Sequence, residues 1–327
     1  MDYNGIYVEM LGGFAMYYNS EPVIEWQNRS SKLISILQHL IYSRSKSLPK
    51  EIFFDLFYSD DSISNPSNSL RVTLHRIRKL LVESGLPDNQ YIVSRNGMCG
   101  WNENIPCLTD VDVFENYVAD ASDTARSISD RIALYKRAFK LYKGEFLSLS
   151  ASEDWVAVES VRLKKIYISC IETLGNLLVN NNDHADITMI CKRAIGIYPF
   201  DEELRYLYVS ALISFERYRE ALVAYEECVK LFFDELGVEP SERLKQCYIK
   251  ISDKIPNISE SVKSIKETLN RDDNGPGAYF SNYLTFLENY RYAIRIAKRN
   301  QMSAFLMFCS LTDRSGLPLP DGEKLRE

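Results

Sequence analysis

The chain has 327 residues, 46% of them hydrophobic and 26% charged, and a formal net charge of −6. It is too long for one typical core and apolar enough to build two or more, so a multidomain globular protein is expected and a disordered chain is not. The acidic balance excludes a protein that coats nucleic acid indiscriminately, which needs a broadly basic surface, but it is compatible with a confined reader.

The first hundred residues read as a mixed α+β unit. Ile6 to Tyr18 and Val23 to Trp26 have strand character around an Asn19-Ser20 turn, and Arg29-Ser30-Ser31 opens a helix whose apolar set Leu33, Ile34, Leu37, Leu40 and Ile41 recurs at helical spacing. Pro49 suits the first turn of a second helix. A polar loop follows, ending at Pro66 with Ser67 and Asn68 as cap candidates for a third.

That third helix, over residues 68–83, carries the strongest functional signal. Each residue advances about 100° around the axis, so Leu70, Leu74, Ile77 and Leu81 form one stripe to be buried. The opposite face holds Val72, His75, Arg76 and Lys79, flanked by Arg71 and Arg78. Guanidinium forks on such a face match guanine edges in a major groove, an apolar side chain can meet a thymine methyl, and the remaining cations sit near phosphates. The alternative is a solvated cationic face. A hairpin just downstream favours the first reading: Tyr91–Ser94 and Met98–Trp101 are strand-like around Asn96-Gly97, which suits a two-residue turn and leaves Arg95 beside the tip, where a wing contacts DNA backbone. Between Pro66 and Gly100 there are five basic residues against two acidic ones, a local excess on an acidic chain. Strands, three helices and a hairpin in this order define a winged helix-turn-helix, assigned to residues 1–111.

Residues 112–256 are mostly helical. Ile187 and Ala221 are 34 residues apart, as are Cys191 and Tyr225, the tetratricopeptide period. Leu174-Gly175, Ala194 and Pro199 fit that pattern in the first unit, whereas the second diverges at its end. Such helix pairs stack to bury faces that neither can bury alone, and their concave surface is a candidate partner groove. Trp155, Leu163 and Tyr167 lie one to two turns apart and are expected to anchor a long helix against the repeat. Residues 257–277 are polar and loop-prone, a linker composition. Within 278–327 an amphipathic helix precedes an apolar strand, SAFLMFCSLT, too little for a domain of its own and readable as a fragment of a further one.

Enzyme chemistry finds no support. The three histidines, His39, His75 and His184, have no metal-ligand spacing, with His39 read as a packed or surface residue and His184 as a solvated loop residue. Nucleophile, phosphate-loop and dinucleotide motifs are missing. The seven cysteines form no CxxC pair, so no disulfide framework, metal or cofactor is expected. No apolar run reaches membrane-spanning length, and the N-terminus has no leader pattern, so no membrane partner is expected and the cytoplasm is the expected compartment.

The stretch VEMLGGFAMYYNSEPV, the NSLRVTLHRIRKLL helix and the hairpin resemble the winged DNA-binding domain of the antibiotic regulatory protein (SARP) type of transcriptional activator. The series Trp155, Arg162, Leu163, Tyr167 and the string from Glu235 to Ser241 are similar to the bacterial transcriptional activator domain that follows it in that family. The resemblance covers about residues 1–256. It implies a mainly α chain, a small α+β winged helix-turn-helix followed by a tetratricopeptide-like helical domain, whose function is sequence-specific regulation, and activation, of transcription. Double-stranded DNA is the partner it implies, met by Arg71, His75, Arg76, Arg78, Lys79 and Arg95; Val72 on the same helix face and Asn96 at the hairpin turn are further DNA-binding candidates from the residues themselves. RNA polymerase, a protein or small-molecule effector at the helical domain, and a second copy of the chain are further candidate partners. The competing expectation is a protein-interaction scaffold that uses the helical groove.

Overall fold

Two adjacent glycines divide what the hydrophobic pattern joins. Instead of one strand from Ile6 to Tyr18 there are two, β1 (Ile6–Glu9) and β2 (Phe14–Tyr18), paired antiparallel around Gly12-Gly13. Gly12 has φ +104°, and a Cβ there would stand 2.9 Å from the backbone nitrogen of Gly144; only glycine allows both. The computed structural model in which this is seen describes residues 4–26, 31–59, 65–181, 183–238, 240–255 and 283–299. It divides into two units, Met1–Val262 and Lys263–Glu327.

In the first unit, β3 (Glu21–Trp26) pairs with β2 through the turn at Asn19 (φ 50°) and Ser20 (φ 70°). Helix α1 (Lys32–Tyr42) is capped by the Ser31 side chain, which accepts from the Ile34 amide. Pro49 stands one residue outside α2 (Lys50–Phe57), not in its first turn. It belongs with Leu48 to a two-residue strand, β4, because both pair with the returning strand of the wing. Helix α3 (Pro66–Glu83) starts two residues earlier than expected. Its cap is Asn65, whose side chain accepts from the Asn68 amide 2.9 Å away, so Ser67 and Asn68 lie within the first turn. Pro66, at the first helical position, forfeits only an amide that has no helical partner.

The wing is β5 (Ile92–Arg95) and β6 (Met98–Trp101), joined by Asn96 (φ 49°) and Gly97 (φ 75°) in the positive-φ geometry that matches strand twist. With β4 it forms a sheet ordered β4-β6-β5. Strand β7 (Cys107–Thr109) then returns parallel to β1 and completes a second sheet, β3-β2-β1-β7.

Helix α4 (Asp110–Ser122) begins at the next residue, and α5 (Ile128–Leu141) packs on it. The long α6 (Asp154–Asn180), α7 (His184–Ile197), α8 (Glu202–Ser214), α9 (Tyr218–Leu231) and α10 (Glu242–Ser252) follow, each packing on its neighbours. Ile187 and Ala221, and likewise Cys191 and Tyr225, are buried at matching positions of α7 and α9, as paired repeats require. His184 opens α7 rather than lying in a loop, because Asp183 caps that helix.

One continuous set of buried side chains runs from Ile6 to Ala211, so the winged region and the helices after it share a core. Trp155, half-buried, packs against that core, and here the expectation needs correction. Its ring packs on His39 (4.8 Å between centroids), Tyr42 (5.7 Å) and Phe146 (5.9 Å), so it anchors α6 to the winged region and not to the repeat. Tyr167 does face the helices, stacked on Tyr142 at 4.0 Å and near Tyr198 at 6.4 Å. The buried Asp110 carboxylate accepts from the amides of Met10 (2.8 Å) and Leu11 (2.9 Å), tying the end of β1 to the start of α4.

In the second unit, helix α11 (Tyr283–Arg299) lies within the stretch read as amphipathic. The linker 257–277 and the apolar segment 303–312 fall outside the described residues. Among those described, no helix is long and apolar enough to cross a membrane.

Candidate nucleic-acid interface

The four residues of the apolar stripe on α3 are all buried, Leu70 and Leu74 at 1% and 2% exposure and Ile77 and Leu81 at 0%. Burying them against α1 and α2 turns the other face outward. Arg71, Val72, His75, Arg76 and Lys79 are accordingly exposed, Val72 at 40%. The face is cationic with one apolar patch.

These side chains are not equally free. Arg76 makes no ion pair among the described residues. Arg71 donates to the Asn68 side chain (3.0 Å), and Lys79 meets Glu83 one turn on at 3.4 Å. Arg78 differs most: it is half-buried and donates from Nη2 to the carbonyl of Ile92 at 3.1 Å, which fastens the helix to the base of the wing. Arg95 and Asn96 stand exposed at the wing tip, where Arg95 again has no carboxylate partner among the described residues.

Two residues beside this surface escaped sequence reading. The Lys50 amide donates to the carbonyl of Gly97 at 2.8 Å, so the first turn of α2 is held at the wing tip. Lys50 and Ser94 line a cleft with Asn68, Arg71 and Arg78 between α2, α3 and β5. A lone lysine after a proline carries no sequence signal; only the β4–β6 pairing reveals it.

Behind the face, the helix scaffold is packed and largely aromatic. His39 lies against Phe53 (5.5 Å), Phe57 (5.9 Å) and Trp155, and neither ring nitrogen has a hydrogen-bond partner among the described residues. Desolvation pushes its pKa down to about 4, which keeps it neutral. Burial pushes Asp110 the other way, up to about 7, although the two amides it accepts from pull against that shift. Farther out, Tyr42 donates to Glu159 (2.6 Å), and Arg162 bridges Glu159, Glu115 and the Tyr42 hydroxyl. This chemistry joins elements and offers no reactive constellation.

Residues 109–252 match the family model described as the bacterial transcriptional activator domain. The regulatory protein AfsR of Streptomyces coelicolor is 25% identical over 256 residues, 76% of this chain and 25% of that protein. Its counterpart from Streptomyces griseus is 26% identical over 236 residues, 69% of this chain and 23% of its own length. The chain thus spans about a quarter of the length of the curated relatives it matches. Among solved structures, that of EmbR from Mycobacterium tuberculosis, in complex with a low-affinity phosphopeptide, superposes with a TM-score of 0.58 at 16% identity, covering 82% of this chain and 72% of that one. The likeness in fold runs through both the winged region and the helices. The chain thus carries a bacterial transcriptional activator domain over residues 109–252, behind a region with the winged helix-turn-helix fold.

Proposed function

We propose that the protein is a sequence-specific, double-stranded-DNA-binding activator of transcription that reads the major groove with α3 and touches backbone with the wing. The observation that supports this best is the exposed face of α3: Arg71, Val72, His75, Arg76 and Lys79 point away from a fully buried stripe and continue into the Arg95-Asn96 tip. Arg76 is the base reader, because it is exposed and unpaired among the described residues; Lys79 and Arg95 are backbone contacts. Arg78 acts through the wing by holding Ile92.

The helical domain supplies the protein side of the activity. A cleft between α7, α8 and α9 combines an apolar floor of Ile195, Tyr208 and Val223 with a rim of mixed charge, Lys192 and Arg205 beside Glu220 and Glu227, and suits a peptide of RNA polymerase or an effector. The decisive experiment selects duplexes from a random-sequence pool with the full chain and measures affinity over a salt series. A recurring motif bound with steep salt dependence is the expected result. Recovery of no motif, with weak and sequence-independent binding, would leave the interaction-scaffold reading in its place.

A further inference from the structure

The cleft beside α3 is built like a seat for a phosphate. It encloses about 530 Å³, and its charged lining is Lys50, Arg71 and Arg78, with no carboxylate among the described residues that line it. Around those cations stand small hydrogen-bonding side chains, Asn68 and Ser94 among them. Three cations around one cleft without an anion repel one another, and a dianionic or monoanionic oxygen cluster is the ligand chemistry that relieves this.

The cleft is also rigidly framed. Leu48 and Pro49 pair with Cys99 and Met98, the Lys50 amide is bonded to Gly97, and Gly100 has no room for a side chain, since a Cβ would lie 2.9 Å from Ser47. Lys50 is therefore fixed at its backbone on the same sheet that presents Arg95, while Arg78 is spent on the Ile92 carbonyl. That leaves Lys50, the Ser94 hydroxyl and Arg71, whose guanidinium has donors beyond the one bonded to Asn68, to face an incoming anion.

We propose that this cleft seats one backbone phosphate of the bound duplex, held by Lys50, Arg71 and Ser94, and so sets how deeply α3 enters the groove. The proposal rests on the DNA-reading assignment above. A phosphate fixed between helix and wing carries no sequence information itself, but it fixes the register in which Arg76 meets the bases.

The test uses the full chain and a duplex enriched from a random-sequence pool, with affinity followed by fluorescence anisotropy as potassium chloride is raised. Lys50→Gln keeps the backbone bond to Gly97 and should weaken enriched and random duplexes by the same factor, lowering the salt slope by about one. Lys50→Arg should restore both. Ser94→Asp, on a different element, should abolish tight binding by placing an anion in the seat. Ethylating single phosphates of the enriched duplex should reveal one whose loss weakens the wild type but not Lys50→Gln. An unchanged slope in Lys50→Gln, while Arg76→Ala still relaxes sequence preference, would overturn the phosphate seat and spare the DNA-reading assignment. Failure of the wild type to bind any duplex would overturn both.

Discussion

The cations of the α3 face and one set of cations in the helical region are used in opposite ways. Behind residue 110 that set is pinned: Lys136 to Asp183 and Asp186, Arg162 to Glu115 and Glu159, Lys164 to Asp201, Arg217 to Glu220 and Arg243 to Glu203. On the α3 face and wing, Lys50, Arg76 and Arg95 make no ion pair among the described residues, and Lys79 makes only an exposed one. Pinned charge holds a scaffold in shape. Unpaired charge held out by that scaffold is available to release counterions from a polyanion. Substitutions behind the face should therefore change stability with little effect on intrinsic DNA contacts, and substitutions on it should do the reverse.

The largest effect should come from the scaffold. Tyr167 is fully buried and stacked on Tyr142, and Tyr167→Ala should lower unfolding stability by about 3–5 kcal/mol, measured by chemical denaturation. A loss well under 1 kcal/mol would mean that the aromatic stack does not organise the helices.

Next is the effect of pH. His39 is neutral in the fold with its pKa lowered to about 4, whereas the unfolded chain takes up that proton near 6.5. Its contribution is thus intact above about pH 6.5 and is lost as pH falls toward 4, by up to about 3 kcal/mol. Asp110 acts in the opposite direction. With its pKa raised to about 7, its contribution is greatest below the unfolded value near 3.8 and declines as pH rises toward 7. His39→Phe should therefore remove acid lability and leave a variant whose stability falls between pH 4 and 7. Denaturation midpoints at the two pH values decide it, and a variant as acid-labile as the wild type would show that another group governs the response.

On the reading face, Arg76→Ala should cost about 1–3 kcal/mol of binding to the enriched duplex and relax preference at one position, with the melting temperature unchanged. Equal losses on enriched and random DNA would reassign Arg76 to the backbone. The smallest effect is expected at the wing, where Arg95→Ala should weaken all duplexes modestly and reduce the salt slope. Unchanged affinity across the salt series would remove the wing tip from the interface.

How far the sequence reveals each region follows the same division. The α3 stripe and the Asn96-Gly97 turn are local codes, written in helical spacing and in tolerance of positive φ, and both are legible from residues alone. So is the repeat, because Ile187 and Ala221 recur at a fixed period. What escapes is made by tertiary pairing. Strand β4 has two residues and exists only through its bonds to β6; Lys50 gains its place from that pairing. Gly12-Gly13 sits within an apolar run, so periodicity joins β1 to β2. Asp110 has the position of an ordinary helix-start acid, and its burial against β1 has no sequence signature. Trp155 lies on a readable stripe, but its partners, His39 and Tyr42, are over a hundred positions away.

Strand β7 ends at Thr109 and α4 begins at Asp110, and β7 lies directly beside β1. The passage from sheet to helix therefore has no slack. A tilt of α4 cannot be absorbed by a hinge and must be carried into the sheet, with the Asp110 carboxylate as the bolt between them. A load applied to the helices by a bound partner would reach the sheet as torque, as through a crank welded to its shaft. Inserting a short glycine-rich segment after Thr109 would give that shaft free play and leave the shared core, with Trp155 against His39 and Tyr42, to carry what torque remains.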